Sequence, residues 1–377
     1  LGVMELAGLA FDQLFSRGEL PEEQQRCFRL LVRVAALCHD LGHAPFSHCT
    51  EFAMPPLKQL GIDAYDPELV GHRLEEKATH EDYTIAVLTR SSLARTIAWH
   101  LPFSGQHVAA LISREVRSPD SLFKVGSLDY RQVLSQLISS EVDVDRLDYL
   151  ARDAYYSGAA YGTVDSRWLL SNLGCRVVEG VPTLVLDHRA IHAFDHFMIA
   201  RYHMFVMVYY HHKSVCYEEL LRKHFNSPEC HWRFPEEVED YRDLDDVTMH
   251  AYLRSCRDEW ARRICERRPF RRALERHGTP REGGLREAEE RLLDAEIPYL
   301  HTSSVSQLSR YAGKKRRSAA PIYVQRRLPG GPEELLPLEQ ATLIFDRYKQ
   351  EHHVARLYVP EERMADAQAL LRSLPAE

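Results

Sequence analysis

The chain has 377 residues, 45% apolar and 27% charged, which is enough to bury one large core or two. With 48 basic against 55 acidic side chains its formal charge is −7, disfavouring nucleic-acid or anionic-membrane binding by the surface as a whole. No apolar run approaches the ~20 residues of a membrane-spanning helix, and the eight cysteines (27, 38, 49, 175, 216, 230, 256, 265) never fall as C-x-x-C. Neither a zinc finger nor a disulfide framework follows, and a reducing, cytoplasmic setting is the expectation.

Apolar side chains at helical spacing predict a helix over 1–16. Pro21-Glu22-Glu23 opens a second through RCFRLLVRVAALCHDLGH, because proline and acids suit a helix N-terminus and Gly42 suits its end. Further helices are predicted at about 82–98, 105–114 and 129–154, the last with a stripe of Val133, Leu134, Leu137, Ile138 and Val142. The alternating β-branched runs of CRVVEGVPTLVLD (175–187) around Glu179-Gly180 predict a hairpin, and a long helix follows from about 189 to 225.

Between 235 and 246 seven acids face one base, and with two prolines in 226–246 this places a lobe boundary, dividing the chain into 1–225 and 226–377. The stretch 251–276 holds nine arginines and four acids and is helical in pattern. REGGLREAEE (281–290) turns into another helix, and AGKKRRSAAP (312–321) is a basic loop. ATLIFDR, ARLYVPEER and MADAQALLRSL alternate strand and helix.

The sharpest local pattern is Cys38-His39-Asp40-Leu41-Gly42-His43-Ala44-Pro45-Phe46-Ser47-His48. An apolar helix ending in an adjacent imidazole and carboxylate brings two metal-competent ligands to the edge of a bundle, where polar groups are costly unless paired. Taken alone, the pair reads first as a helix-end cap and a solvated pair. A second pattern, EVDVDRLDYLARD (141–153), sets Asp145, Tyr149 and Asp153 at i, i+4 and i+8 on one helix face with Arg146 beside it. Flanked by Val142, Leu147 and Leu150, that face is a poor solvated surface and a good wall for a polar ligand.

The two blocks, HDLGHAPFSH followed about a hundred residues later by DVDRLDYLARD, resemble the HD-domain phosphohydrolases, in particular their dNTP triphosphohydrolase branch with its dGTPase-like and SAM-and-HD-domain members. The resemblance implies a mainly α fold: an HD-domain helical bundle with a β-hairpin and a smaller α+β C-terminal lobe. It implies that His39, Asp40 and Asp145 ligate a divalent metal ion (Mn, Mg, Fe, Ni or Zn), that Arg146 meets phosphate, and that Tyr149 and Asp153 hold the sugar. His48, Glu51 (commonly aspartate in the family) and His80 match its catalytic set. An imidazole, which titrates near ~6.5, can protonate the departing nucleoside 5′-oxygen at neutral pH, and His48 is the candidate acid. Glu51 would orient or recharge it, and His80 would stabilise phosphate oxygens or assist the proton transfer. Arg201 and Tyr209, eight residues apart on the long helix, match a phosphate-binding arginine and a nucleoside-contacting aromatic. His192 and His196 read as surface or packing histidines.

The family carries a further ligand histidine in an R-x-x-H-S segment before a Leu-Gly-Val-like sequence. This chain starts at Leu1-Gly2-Val3, so that histidine and its arginine are expected upstream of Leu1. The expected reaction is metal-dependent hydrolysis of a dNTP to deoxynucleoside and triphosphate. The alternatives are another nucleotide (a monophosphate, a cyclic nucleotide or an alarmone) or a catalytically dead nucleotide- or nucleic-acid-binding regulator. The resemblance also implies a homo-oligomer, dimer or tetramer, and a regulatory nucleotide. The basic segments 254–276 and Lys314-Lys315-Arg316-Arg317 read first as solvated surface and second as an anion or nucleic-acid contact, with no aromatic interleaving beyond Trp260.

Overall fold

The computed structural model describes residues 1–16, 18–278, 282–306, 320–327, 332–347 and 352–374; the basic Lys314–Arg317 run lies outside them. The described residues are mainly helical with small sheets, and no helix among them is long and apolar enough to cross a membrane. Two compact units interleave along the chain instead of dividing at residue 226. The first comprises 1–201, 233–245 and 309–347, the second 202–232, 246–308 and 348–377. The acidic segment 233–245 belongs with the first unit because it packs on the helix that begins at His80.

In the first unit, α1 (Gly2–Leu14), α2 (Glu22–Cys38), α3 (His80–Arg90), α4 (Ser92–His100), α5 (Gly105–Ile112), α6 (Arg131–Ile138) and α7 (Val144–Ser157) build the bundle. Its core holds Phe11, Phe28, Leu31, Val32, Tyr83, Leu111, Leu134, Leu137, Leu147 and Leu150. The α2 side chains Phe28, Leu31, Val32 and Ala35 recur at the spacing that gives one apolar face. Val133, Leu134, Leu137, Ile138 and Val142 are all buried, although the helix predicted over 129–154 is two. Asp143 breaks it, its carboxylate accepting the Arg146 N–H at 2.9 Å and so capping a new helix. Likewise Ser91 caps α4 and divides the helix predicted over 82–98.

The hairpin forms as predicted. β1 (Leu173–Val178) and β2 (Val181–Asp187) pair antiparallel about Glu179 and Gly180, both with positive φ (51° and 83°), the turn that matches strand twist. β2 also pairs in parallel with Tyr323–Arg327, which pairs antiparallel with Glu333–Pro337. The long helix predicted over 189–225 is interrupted. It is helical over Ile191–Met204, π-helical over Phe205–Tyr209, where Tyr210 N–H closes on Phe205 O at 2.8 Å, and helical again over His212–Phe225.

The second unit folds a three-stranded antiparallel sheet in the order Arg271–His277, His352–Val359, Leu300–Ser306. Ala288, Leu292, Leu357, Val359, Ala367 and Leu371 join the helices Glu282–Asp294 and Met364–Leu371 to it in one core. The basic stretch 251–276 is therefore not helical throughout. Asp258 caps Glu259–Cys265, and beyond Pro269 the chain enters a strand. ATLIFDR holds helical turns instead of a strand, the Thr342 hydroxyl accepting the Ile344 N–H at 3.2 Å.

One ion-pair network fixes the start of α3. Asp82, fully buried, accepts from Thr79 N at 2.8 Å, from Tyr65 OH at 2.5 Å and from both arms of Arg73 at 2.8 and 3.0 Å, while Arg73 also grips Glu115. Removing Arg73 strands a buried carboxylate. Arg73→Met should lower unfolding stability by about 3 kcal/mol in urea titrations, and a loss under about 1 kcal/mol would show that this network does not hold the helix start.

Candidate active site

α2 ends at Cys38, and the chain then turns tightly through His39–His43, with Leu41 N bonded to Cys38 O and His43 N to Asp40 O. The turn lies directly on the first turn of α3. A Cβ on Gly42 would stand 2.1 Å from His80 O and 2.3 Å from Thr84 N, so only glycine allows the approach. Gly42 N–H donates to Thr84 Oγ1 at 2.9 Å, and the Thr84 hydroxyl donates to His39 O at 3.0 Å.

His39 Nδ1 bonds Ala36 O at 2.9 Å, which puts the ring proton on Nδ1 and turns the Nε2 lone pair towards two carboxylates. Asp40 Oδ2 lies 3.4 Å and Asp145 Oδ1 3.3 Å from Nε2, yet this buried nitrogen meets no partner in hydrogen-bond geometry. Two atoms each ~2.1 Å from a shared ion stand about 3 Å apart, so the set fits a divalent cation. Burial alone would lower the His39 pKa, but Asp145 and Asp40 outweigh it and carry it up to about 9. The pocket favours positive charge at this nitrogen, as a proton or as a metal ion.

Beside it stands a histidine cluster. Phe46 and Ser47 adopt positive φ (61° and 51°) and bend the chain so that His48 starts a short helical turn. His48 Nδ1 is 3.2 Å from Glu51 Oε2, and Glu51 Oε1 takes both His80 Nδ1 and His80 N–H at 2.8 Å. Burial would raise the Glu51 pKa, but the bonds from His48 and His80 hold it well below the usual carboxylate range. Burial likewise disfavours a charged His80, and Glu51 overcomes this and raises its pKa. His43 stacks flat on His80, ring centroids 4.2 Å apart, with Nε2 3.6 Å from Asp40. Burial, and then the charge of His80, lower its pKa, so His43 is the neutral member of the stack. Sequence reasoning gave His43 no role, although its place four residues after His39 was a usable signal.

On α7, Asp145, Tyr149 and Asp153 are half-buried on one face. Arg146 is buried and bonds Ser140 O, and its guanidinium lies 3.5 Å from Asp143 and 3.7 Å from Glu141. Arg201 reaches the same Glu141 at 3.8 Å. Burial raises the Tyr149 pKa against the opposing charges of Arg201 and Arg146. Tyr209 lies in the π-helical stretch, in the second unit, so the straight-helix spacing expected between it and Arg201 does not hold. His192 and His196 are exposed.

Two further features lie apart from this site. A cavity of about 540 Å³ in the first unit is lined by Arg176, Arg189, Arg326 and Arg327 together with Asp187 and Glu19. In the second unit His224, Cys256 and Asp258 offer ligand atoms within 4.8 Å of one another. There His224 Nδ1 bonds Asp258 at 2.8 Å while Asp258 caps Trp260 and Ala261, and His224 Nε2 is buried without a hydrogen-bond partner among the described residues.

The chain matches the HD domain over residues 1–153 and the HD associated region over residues 164–297. It is 31% identical over 225 residues to the uncharacterized protein YwfO of Bacillus subtilis, spanning 59% of this chain and 42% of that protein. To the human deoxynucleoside triphosphate triphosphohydrolase SAMHD1 it is 28% identical over 212 residues, spanning 52% and 31%. The chain thus matches less than half the length of these curated relatives. A crystal structure of a hypothetical protein from Aquifex aeolicus superposes with a TM-score of 0.68 at 23% identity, over 98% of this chain and 85% of that one, a likeness of fold. With both family regions matched in order over well over half its length, and with the His-Asp turn at the end of α2, the chain belongs to the HD-domain phosphohydrolase family.

Proposed function

We propose that the protein hydrolyses deoxynucleoside triphosphates to deoxynucleoside and inorganic triphosphate. The observation that carries the phosphohydrolase chemistry is His39 Nε2, buried and unmet between the Asp40 and Asp145 carboxylates. The choice of substrate rests on the family resemblance and on the activity named for the human relative. A divalent ion held by His39, Asp40 and Asp145 would neutralise charge on the α-phosphate and make water a better nucleophile.

The remaining steps belong to the chain's own side chains. His48, the more open of the two rings bonded to Glu51, is well placed to approach a leaving oxygen. Glu51 would orient it and, by favouring the protonated form of His80, would keep positive charge facing the phosphates. Tyr149 and Asp153 would hold the sugar. Arg201 and Arg146 would meet the triphosphate; Arg146 is committed to Asp143 and Glu141 and serves a phosphate only by exchanging one of them. A regulatory nucleotide would suit the cavity lined by Arg176, Arg189, Arg326 and Arg327. A dimer or tetramer is part of the same reading.

Product analysis with each dNTP and Mn²⁺ or Mg²⁺ tests the reaction: inorganic triphosphate is expected, whereas phosphate or pyrophosphate would point to another nucleotide reaction. His39→Ala and Asp40→Ala should lose metal and activity together. His48→Ala should lower kcat about 10²–10⁴-fold while metal and substrate still bind, and loss of metal from it would refute the acid role.

The pH profile carries a sign. His80 stays protonated to higher pH than an ordinary imidazole, so if it serves as the cation, the alkaline limb of the residual kcat/KM of His48→Ala, in which the acid no longer titrates, should lie above about 6.5. Glu51→Gln removes the carboxylate that raises it and should shift the limb downwards; a limb that does not move excludes His80 from that part.

A further inference from the structure

The His-Asp turn is also held from a distant stretch of chain. Residues 233–245 return to α3 and the start of α4, where Tyr83 OH donates to Pro235 O at 2.7 Å and Ser92 N–H donates to Glu239 at 2.6 Å. The Tyr241 ring stacks on Tyr83 with centroids 3.9 Å apart and planes 19° from parallel. From that stack the Tyr241 hydroxyl donates to Gly42 O at 2.7 Å.

Tyr241 is buried, and burial, followed by Tyr83 and the Glu51 charge, raises its pKa far above the usual phenol value, so it remains a donor at any working pH. The turn is therefore pinned on two sides: Thr84 holds His39 O and Gly42 N, and Tyr241 holds Gly42 O. Asp40 lies between these pins and His43 directly after them. A slip of Gly42 would move the Asp40 carboxylate relative to His39 Nε2 and the His43 ring relative to His80.

We propose that Tyr241 is a positioning residue whose bond to Gly42 O sets the divalent-metal affinity of the His39, Asp40 and Asp145 group. The proposal rests on the metal reading above and extends it, since it makes a residue of the HD associated region part of the support for the HD domain's metal site. Tyr241 touches neither metal nor substrate and acts through the backbone of the turn.

Tyr241→Phe keeps the ring and its stack and deletes the donor. In the full chain, calorimetric titration with Mn²⁺ should show Kd raised ten- to a hundredfold, the range for outer-shell partners of metal ligands. The Mn²⁺-induced rise in Tm should shrink correspondingly, and excess Mn²⁺ should restore part of kcat. A merely structural role would lower Tm equally with and without metal and leave the Mn²⁺ Kd unchanged; that result overturns the proposal. Tyr83→Phe, which frees the segment at Pro235, should weaken Mn²⁺ binding in the same direction and serves if Tyr241→Phe does not fold. Wild-type protein whose Mn²⁺ binding is unaffected by Asp145→Asn would sink the metal reading itself, whereas equal binding in wild type and Tyr241→Phe sinks only the role of Tyr241.

Discussion

Everything at the candidate site depends on the close approach of one backbone to another. Gly42 sits so near the first turn of α3 that no side chain fits between them. This contact sets the His39-Asp40 pair at the end of one helix beside His80 at the start of another. The capping of α3 by Thr79 and Asp82, and the anchoring of Asp82 by Arg73 and Tyr65, keep that helix start fixed. Two chemically distinct groups, a ligand set that favours a cation and a histidine cluster built on a carboxylate, consequently share one wall.

Charge at this wall is balanced locally. Glu141 and Asp143 face Arg146 and Arg201, and Glu51 faces His80, so the pocket brings little net positive charge to a polyphosphate. His39 Nε2, buried between the Asp40 and Asp145 carboxylates, is the atom of this wall prepared to receive an added cation. The neutral state of His43 fits the same economy, because two stacked imidazoles at 4.2 Å cannot both carry charge cheaply.

How much of this was legible in the sequence follows from how local each feature is. His39 and Asp40 are neighbours, Asp145 heads a patterned helix, and the hairpin announces itself through Glu179-Gly180, so these were readable. The breaks within the helices predicted over 82–98 and 129–154 depend on single side chains, Ser91 and Asp143, turned back onto the backbone, which apolar periodicity does not register. The π-helical stretch at Phe205–Tyr209 looks helical by composition. Tyr241 and Thr84 carried no signal, since their role is a hydrogen bond to the turn and, for Tyr241, one made across 199 residues.

The sheet of the first unit sets a demand of another kind. Val185 pairs with Tyr323 and Asp187 with Gln325, so about 140 residues separate the hairpin from the strand that covers its edge. At ~5–20 residues per second of synthesis, that edge stands open for roughly 7–30 s. An uncovered strand recruits other strands, whether from the same chain or from its neighbours. The bundle helices are all made before this interval ends and can close on contacts already present. For a nascent molecule, then, the uncovered edge of β2 is a place where misassembly can begin, and it is closed only when Tyr323–Arg327 arrives.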